Sequence, residues 1–243
     1  MTGSDRREAM LRLGAFAVLP LALHTSPAFA AENRPLRTPP TGEYRLSRKV
    51  SRSLVDGRML TVERSWSCRF SANGRGMSVS SFGQSATVDA PESLQALASM
   101  EEKRRDSGPF PALLDASGMI VSAPSTPTGA SNEAVSAAMS ALRNVAASHG
   151  ETADRSRFFH GLAGAAGAAM SAVPSDLFYP TPGLREDVRT IALPGGASGT
   201  VAITLRSSAK EQSGLLDRFE RSVRTQLEGD TRRSSEVWSL HQI

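Results

Sequence analysis

Alternation of apolar and polar positions sets in at Tyr44. Tyr44, Leu46, Val50 and Leu54 share one parity, and Leu60, Val62, Trp66, Cys68 and Phe70 share it again after Asp56-Gly57. Successive side chains leave a strand on opposite faces, so period two on both sides of an Asp-Gly pair predicts a β-hairpin. The turn decides its register. A two-residue loop would set Leu60, Val62 and Trp66 against Ser53, Ser51 and Ser47. A three-residue loop, Val55-Asp56-Gly57 with Gly57 left-handed, pairs Val50 with Val62 and Leu46 with Trp66, and is preferred. That register also sets Arg48 opposite Arg64, whereas a shifted one would stack Arg48 on Trp66.

Met77 to Val88 reads as a third strand with a change of parity. Met77 and Val79 fall on one face, Phe82, Ala86 and Val88 on the other, and Gly83 marks a bulge. Asp89-Ala-Pro-Glu92 resembles a capping box with Pro91 in the first turn, predicting a helix to about Arg105 that stops before Gly108-Pro109. Phe110 to Val121 reads as a short hairpin turning at Asp115-Ala-Ser-Gly118. Ser122 to Asn132 is low in complexity and forms a flexible linker. Beyond it, Val135, Ala138, Met139, Leu142, Val145 and Ala146 keep helical period up to Gly150, and a second helix runs from Asp154 to about Val173.

Pro174 to Pro182 is a proline-rich, aromatic loop, and Ile191 to Leu205 a hairpin around Pro194-Gly195-Gly196. Leu215 to Leu227 satisfies both periods. Its Asp217–Arg221 and Glu220–Arg224 spacings favour a helix, while Glu228-Gly229-Asp230 could equally turn a hairpin into Thr231–Leu240. The expected fold class is therefore α+β, a curved antiparallel sheet built from hairpins and packed against three or four helices.

The N-terminus reads as an address. Arg6 and Arg7 precede an uncharged stretch, Leu13 to Leu23, too short to span the ~30 Å of a bilayer core. Ala28-Phe29-Ala30 then supplies the small residues of a cleavage site. Residues 1–30 are expected to be a cleaved export signal, 31–43 a disordered lead with three prolines, and 44–243 a single domain. The adjacent arginines fit twin-arginine export as well as the general secretory route. The expected compartment is periplasmic or extracellular, with no transmembrane anchor in the mature chain.

Charge changes the picture only locally. The 243 residues carry 28 basic and 24 acidic side chains, formally +4. A pI of about 9.8 reflects the scarcity of groups titrating above neutrality, so no nucleic-acid partner is expected. Tyr44 to Arg75 concentrates eight basic residues against two acids. On its inward parity Arg48, Arg52 and Arg64 form a candidate anion-binding patch, since a guanidinium fork suits carboxylate or phosphate.

Other chemistry is thin. His149, His160 and His241 stand without a second ligand at metal spacing, so no metal or other cofactor is expected. Cys68 lies between Trp66 and Phe70 and reads as a small buried hydrophobe. Ser207-Ser-Ala-Lys210 matches an S-x-x-K string but lacks its companion motifs. The expected function is that of an exported, non-catalytic protein binding a partner. That partner would be an envelope protein, an apolar or lipid-like ligand, or an anionic polymer or other anionic envelope component. The alternative is an exported enzyme whose active site no motif reveals.

Overall fold

The computed structural model describes residues 34–54, 57–124, 173–192, 198–227 and 230–243. The chain divides into a short N-terminal unit, Met1–Pro35, nearly all of it outside those residues, and a main unit, Leu36–Ile243. The two helices expected between 133 and 173, the linker and the export signal lie outside the described residues, apart from 122–124.

The described residues of the main unit form nine antiparallel strands: β1 (Glu43–Ser53), β2 (Met59–Asn73), β3 (Gly76–Asp89), β4 (Ala112–Leu114), β5 (Ile120–Ser122), β6 (Gly183–Ala192), β7 (Ser198–Ala209), β8 (Leu216–Leu227) and β9 (Asp230–Gln242). They form one sheet in the order β5-β4-β3-β2-β1-β9-β8-β7-β6. Two meanders of consecutive hairpins thus meet where β1 pairs with β9. Among the described residues there is one short α-helix, α1 (Gln95–Lys103), preceded by a 3₁₀ turn at Glu92–Leu94. The expectation of a sheet packed against three or four helices is overturned.

Part of that error sits at 216–227, which is strand rather than helix. Phe219, Arg221 and Val223 pair with Trp238, Glu236 and Ser234 of β9, and Phe219 and Val223 are buried with them. Arg221 finds its carboxylate across the strand pair, at Glu236, so the helix-like spacing to Asp217 is incidental. Tertiary pairing decided what local propensity left balanced. The capping box does not form either: neither Pro91 nor Leu94 at the helix starts makes a side-chain cap bond.

The first hairpin adopts the expected register. Val50 lies opposite Val62, Leu46 opposite Trp66 and Arg48 opposite Arg64, and Leu54 N donates to Arg58 O across the three-residue turn at 2.7 Å. Gly57 has φ +80 there. The bulge in β3 is also present, between Ser67 and Cys68 of β2, which oppose Gly83 and Ser81. Its effect on parity differs from the expectation. Phe82 is the extra residue, 57% exposed and under the Arg69 guanidinium. Met77, Val79, Ala86 and Val88 consequently share one face, opposite Ala72, Phe70, Arg64 and Val62.

The sheet is strongly curled. Ile120 N of β5 donates to Ser175 O, and Leu216 N of β8 donates to Phe178 O. Three residues reach at most ~10 Å, whereas strands six places apart in a flat sheet lie ~29 Å from each other. The inner face must therefore wrap around the segment Val173–Tyr179, whose Leu177 and Phe178 are fully buried. Leu46, Trp66, Cys68, Phe70, Met77, Phe219, Trp238 and Leu240 close on it to form the core. Trp66 stacks on Trp238 with ring centres 6.1 Å apart, and Phe178 packs edge-on against Phe70. The short hairpin β4–β5 turns as expected at Asp115, whose Oδ1 accepts from Ser117 N, Ser117 Oγ and Met119 N.

Candidate functional site

Along the inner face the side chains change character from one end to the other. The rows through Tyr44 and Leu46 are aromatic and sealed. The next row, Arg48–Arg64–Ala86, is charged, the following one, Val50–Val62–Val88, is apolar, and the last holds Arg52 and Leu60. Helix α1 lies over these last three rows. It buries only Ala98, leaving Leu97 54% exposed. Between helix and sheet runs a cleft of about 420 Å³, floored by Val50, Leu60, Val62 and Val88 and walled by Leu94, Leu97 and Ala98. Arg48, Arg52, Arg64 and Arg104 line it with the acids Glu101 and Asp106.

All three arginines singled out from the sequence thus border one cavity, in unequal states. Arg48 Nε and Nη2 both reach Glu236 Oε1 at 2.7 Å, and the guanidinium lies 5.1 Å from the Trp238 ring centre. The other oxygen of Glu236 accepts from Arg221 Nη2 at 2.5 Å. Glu236 and Arg221 are almost wholly enclosed, so one carboxylate holds two cations inside the sheet. Burial of charge is tolerated where such pairing accompanies it.

Arg64 is the fastening of α1. Its Nη1 donates to Arg104 O, and its Nη2 to both Glu101 O and Glu101 Oε1, at 2.7–2.9 Å. These are carbonyls at the C-terminal end of the helix, which carry the negative end of its dipole, and Glu101 O accepts from Arg104 N as well, at 3.3 Å. Asp106 Oδ2 lies 3.8 Å from Arg64 Nε, and Arg104 Nη2 reaches Glu101 Oε1 at 2.9 Å. Glu102 Oε1 accepts from Val88 N on β3 at 3.0 Å. Neighbouring Glu101 and Glu102 thus both hold the helix to the sheet.

No family model matches this chain, and no curated protein is similar to it in sequence.

Arg52 stands apart from the other two arginines. It is exposed at the mouth of the cleft, beside Leu60 and Ser234 in the register, and makes no ion pair with any described residue. The remaining candidates fall elsewhere. Cys68 is completely buried, and burial pushes its thiol from 9.0 up to about 12, the reverse of what a nucleophile needs. Ser207 sits on β7 with its hydroxyl donating to Thr181 O at 2.6 Å, far from the helix start that an S-x-x-K serine requires. His241 is exposed near the end of β9, while His149 and His160 lie outside the described residues. Among the described residues no group of three potential metal ligands comes together, and no helix is long and apolar enough to cross a membrane.

What the sequence could not show was the apolar half of the site. Leu94 comes from the 3₁₀ turn and Leu97 from the helix, and the acid that holds Arg48, Glu236, comes from a strand 188 residues away. Only the shared parity of Val50, Val62 and the three arginines pointed to it.

Proposed function

We propose that the chain is an exported binding protein whose cleft receives a small amphiphile, an apolar body carrying an anionic group. One observation carries this reading: an apolar floor and wall, part of it exposed at Leu97, ringed by guanidinium groups within one cavity. Removing apolar surface from water supplies affinity without direction, and a charge-assisted hydrogen bond at the rim supplies orientation. A volume of about 420 Å³ falls toward the small end of the ~300–1,000 Å³ range of ligand pockets, which suits one short chain or a compact ring system.

Calorimetric titration of the purified protein with decanoate tests the binding. Saturable 1:1 binding is expected, weakened at least tenfold by Leu97→Asp, a substitution at a helix position that is 54% exposed. Equal affinity in the variant would remove the cleft from consideration. The export part of the proposal rests on Arg6-Arg7, the Leu13–Leu23 stretch and Ala28-Phe29-Ala30. N-terminal sequencing of exported material should return Ala31, and recovery of Met1 would overturn it.

A further inference from the structure

We infer that Arg52 alone reads the ligand's charge, so that the cleft selects a single-chain amphiphile with one anionic head, held head-outward at its mouth. The inference rests on the cleft being the binding site and adds which end of the ligand goes where. Four arginines line the cavity, but their fork donors are not equally available. Both Nε and Nη2 of Arg48 are committed to Glu236. Arg64 spends three bonds on the last turn of α1 and is only 6% exposed. Arg104 bridges Glu101 and Asp106. Drawing Arg48 or Arg64 onto a ligand would unfasten a buried carboxylate or the helix that forms the wall. Arg104, whose partners lie on its own helix and just after it, would bring a ligand's anion against Glu101 and Asp106.

Arg52 has no such duty. Its neighbours in the register are Leu60 and Ser234, neither of them charged. It is separated from the Arg48–Arg64 row by the apolar row Val50–Val62–Val88. A ligand with its head on Arg52 therefore lays its apolar part directly over those valines and under Leu94 and Leu97. The opposite orientation would set an apolar tail at the solvent and the anionic head beside the carboxylates of Glu101 and Asp106. One free guanidinium accounts for one anionic group. The chain length is limited by a cavity near 420 Å³, so a two-chain lipid is not the occupant.

The test compares decanoate with decanol, equal in chain and different in head charge, on the wild-type protein and on Arg52→Gln. The wild type should bind decanoate at least tenfold more tightly than decanol. Arg52→Gln should bring decanoate down to the level of decanol, leave decanol within twofold of its wild-type affinity, and Arg52→Lys should restore part of the difference. If both ligands bind the wild type and the preference for decanoate survives Arg52→Gln, the assignment of Arg52 fails while the cleft reading stands. If neither ligand binds the wild type saturably, the cleft reading itself fails. Acetate, which has the head without the chain, should not bind in the millimolar range, and its binding with Arg52 dependence would overturn the role given to the apolar floor.

Discussion

Arg48 and Arg64 lie directly opposite each other on β1 and β2, and each guanidinium is neutralised by a different element of the fold. Arg48 turns to Glu236 on β9, and Arg64 to Glu101 on α1. Like charges opposed across a strand pair are destabilising by themselves. Here the pair is kept because the two heads diverge, one fastening the junction of the two meanders and the other fastening the helix.

Glu236→Gln should accordingly be among the most damaging single substitutions. It removes the carboxylate shared by Arg48 and Arg221, whose side chains are 23% and 3% exposed. Breaking a buried ion pair from one side costs about 3–5 kcal/mol. Urea unfolding should show that loss, whereas Arg69→Gln, which breaks the exposed pair with Glu43, should stay within about 1 kcal/mol. Equal effects of the two would contradict the structural weight given to Glu236.

Arg64→Lys keeps the charge and loses the planar fork that reaches two carbonyls and a carboxylate together. Amide hydrogen exchange over Gln95–Lys103 should speed up at least tenfold, with the strands of the core unchanged. Unaltered protection of α1 would show that the helix is held by other contacts.

How far these relationships can be read beforehand depends on where their parts lie in the chain. The hairpin from Tyr44 to Phe70 was legible because its even positions carry the apolar residues and its odd positions are mostly Ser, Thr and charged groups. One register alone satisfies that arrangement. The stretch from Leu215 to Leu227 was not, because apolar residues spaced by four fall on one helix face and also on one strand face. Only the partner β9 separates the two. The arginine cluster was visible as a shared parity within one hairpin. Its acids and its apolar wall were invisible because Glu101 and Glu236 stand 37 and 188 residues from their arginines.

Alkaline pH should destabilise the fold through Cys68 and Tyr179. Burial raises both groups to about 12, from 9.0 and 10.0 respectively. The unfolded chain releases these protons at the lower values while the folded chain keeps them. Stability is therefore full below about pH 9 and is lost progressively as the pH rises toward 12. Cys68→Ala should flatten the onset near pH 9 in thermal unfolding. Alkylation of Cys68 by a small thiol reagent should be slow in the native protein and rapid in denaturant, and fast native labelling would contradict its burial.

Gly118 and Gly74 offer a matched pair. Both have positive φ, +86 and +60, but a Cβ on Gly118 would come within 2.4 Å of the Tyr179 ring, whereas Gly74 faces open space. Gly74→Ala should cost only the backbone term, about 1–2 kcal/mol. Gly118→Ala adds displacement of a buried aromatic ring and should cost about 1–3 kcal/mol more. Melting temperatures that fall equally for the two would refute the packing of Tyr179 under that turn.

The cleft is tested most directly by following backbone amide resonances while the purified protein is titrated with decanoate. Saturating shifts are predicted to concentrate at Val50, Arg52, Leu60, Val62, Val88, Leu97 and Ala98, with Arg52 and Leu60 marking the head and Val88 and Leu97 the chain. Shifts absent from these residues, or spread instead over the outer face around Phe82, Leu184 and Val188, would contradict the cleft as the binding site.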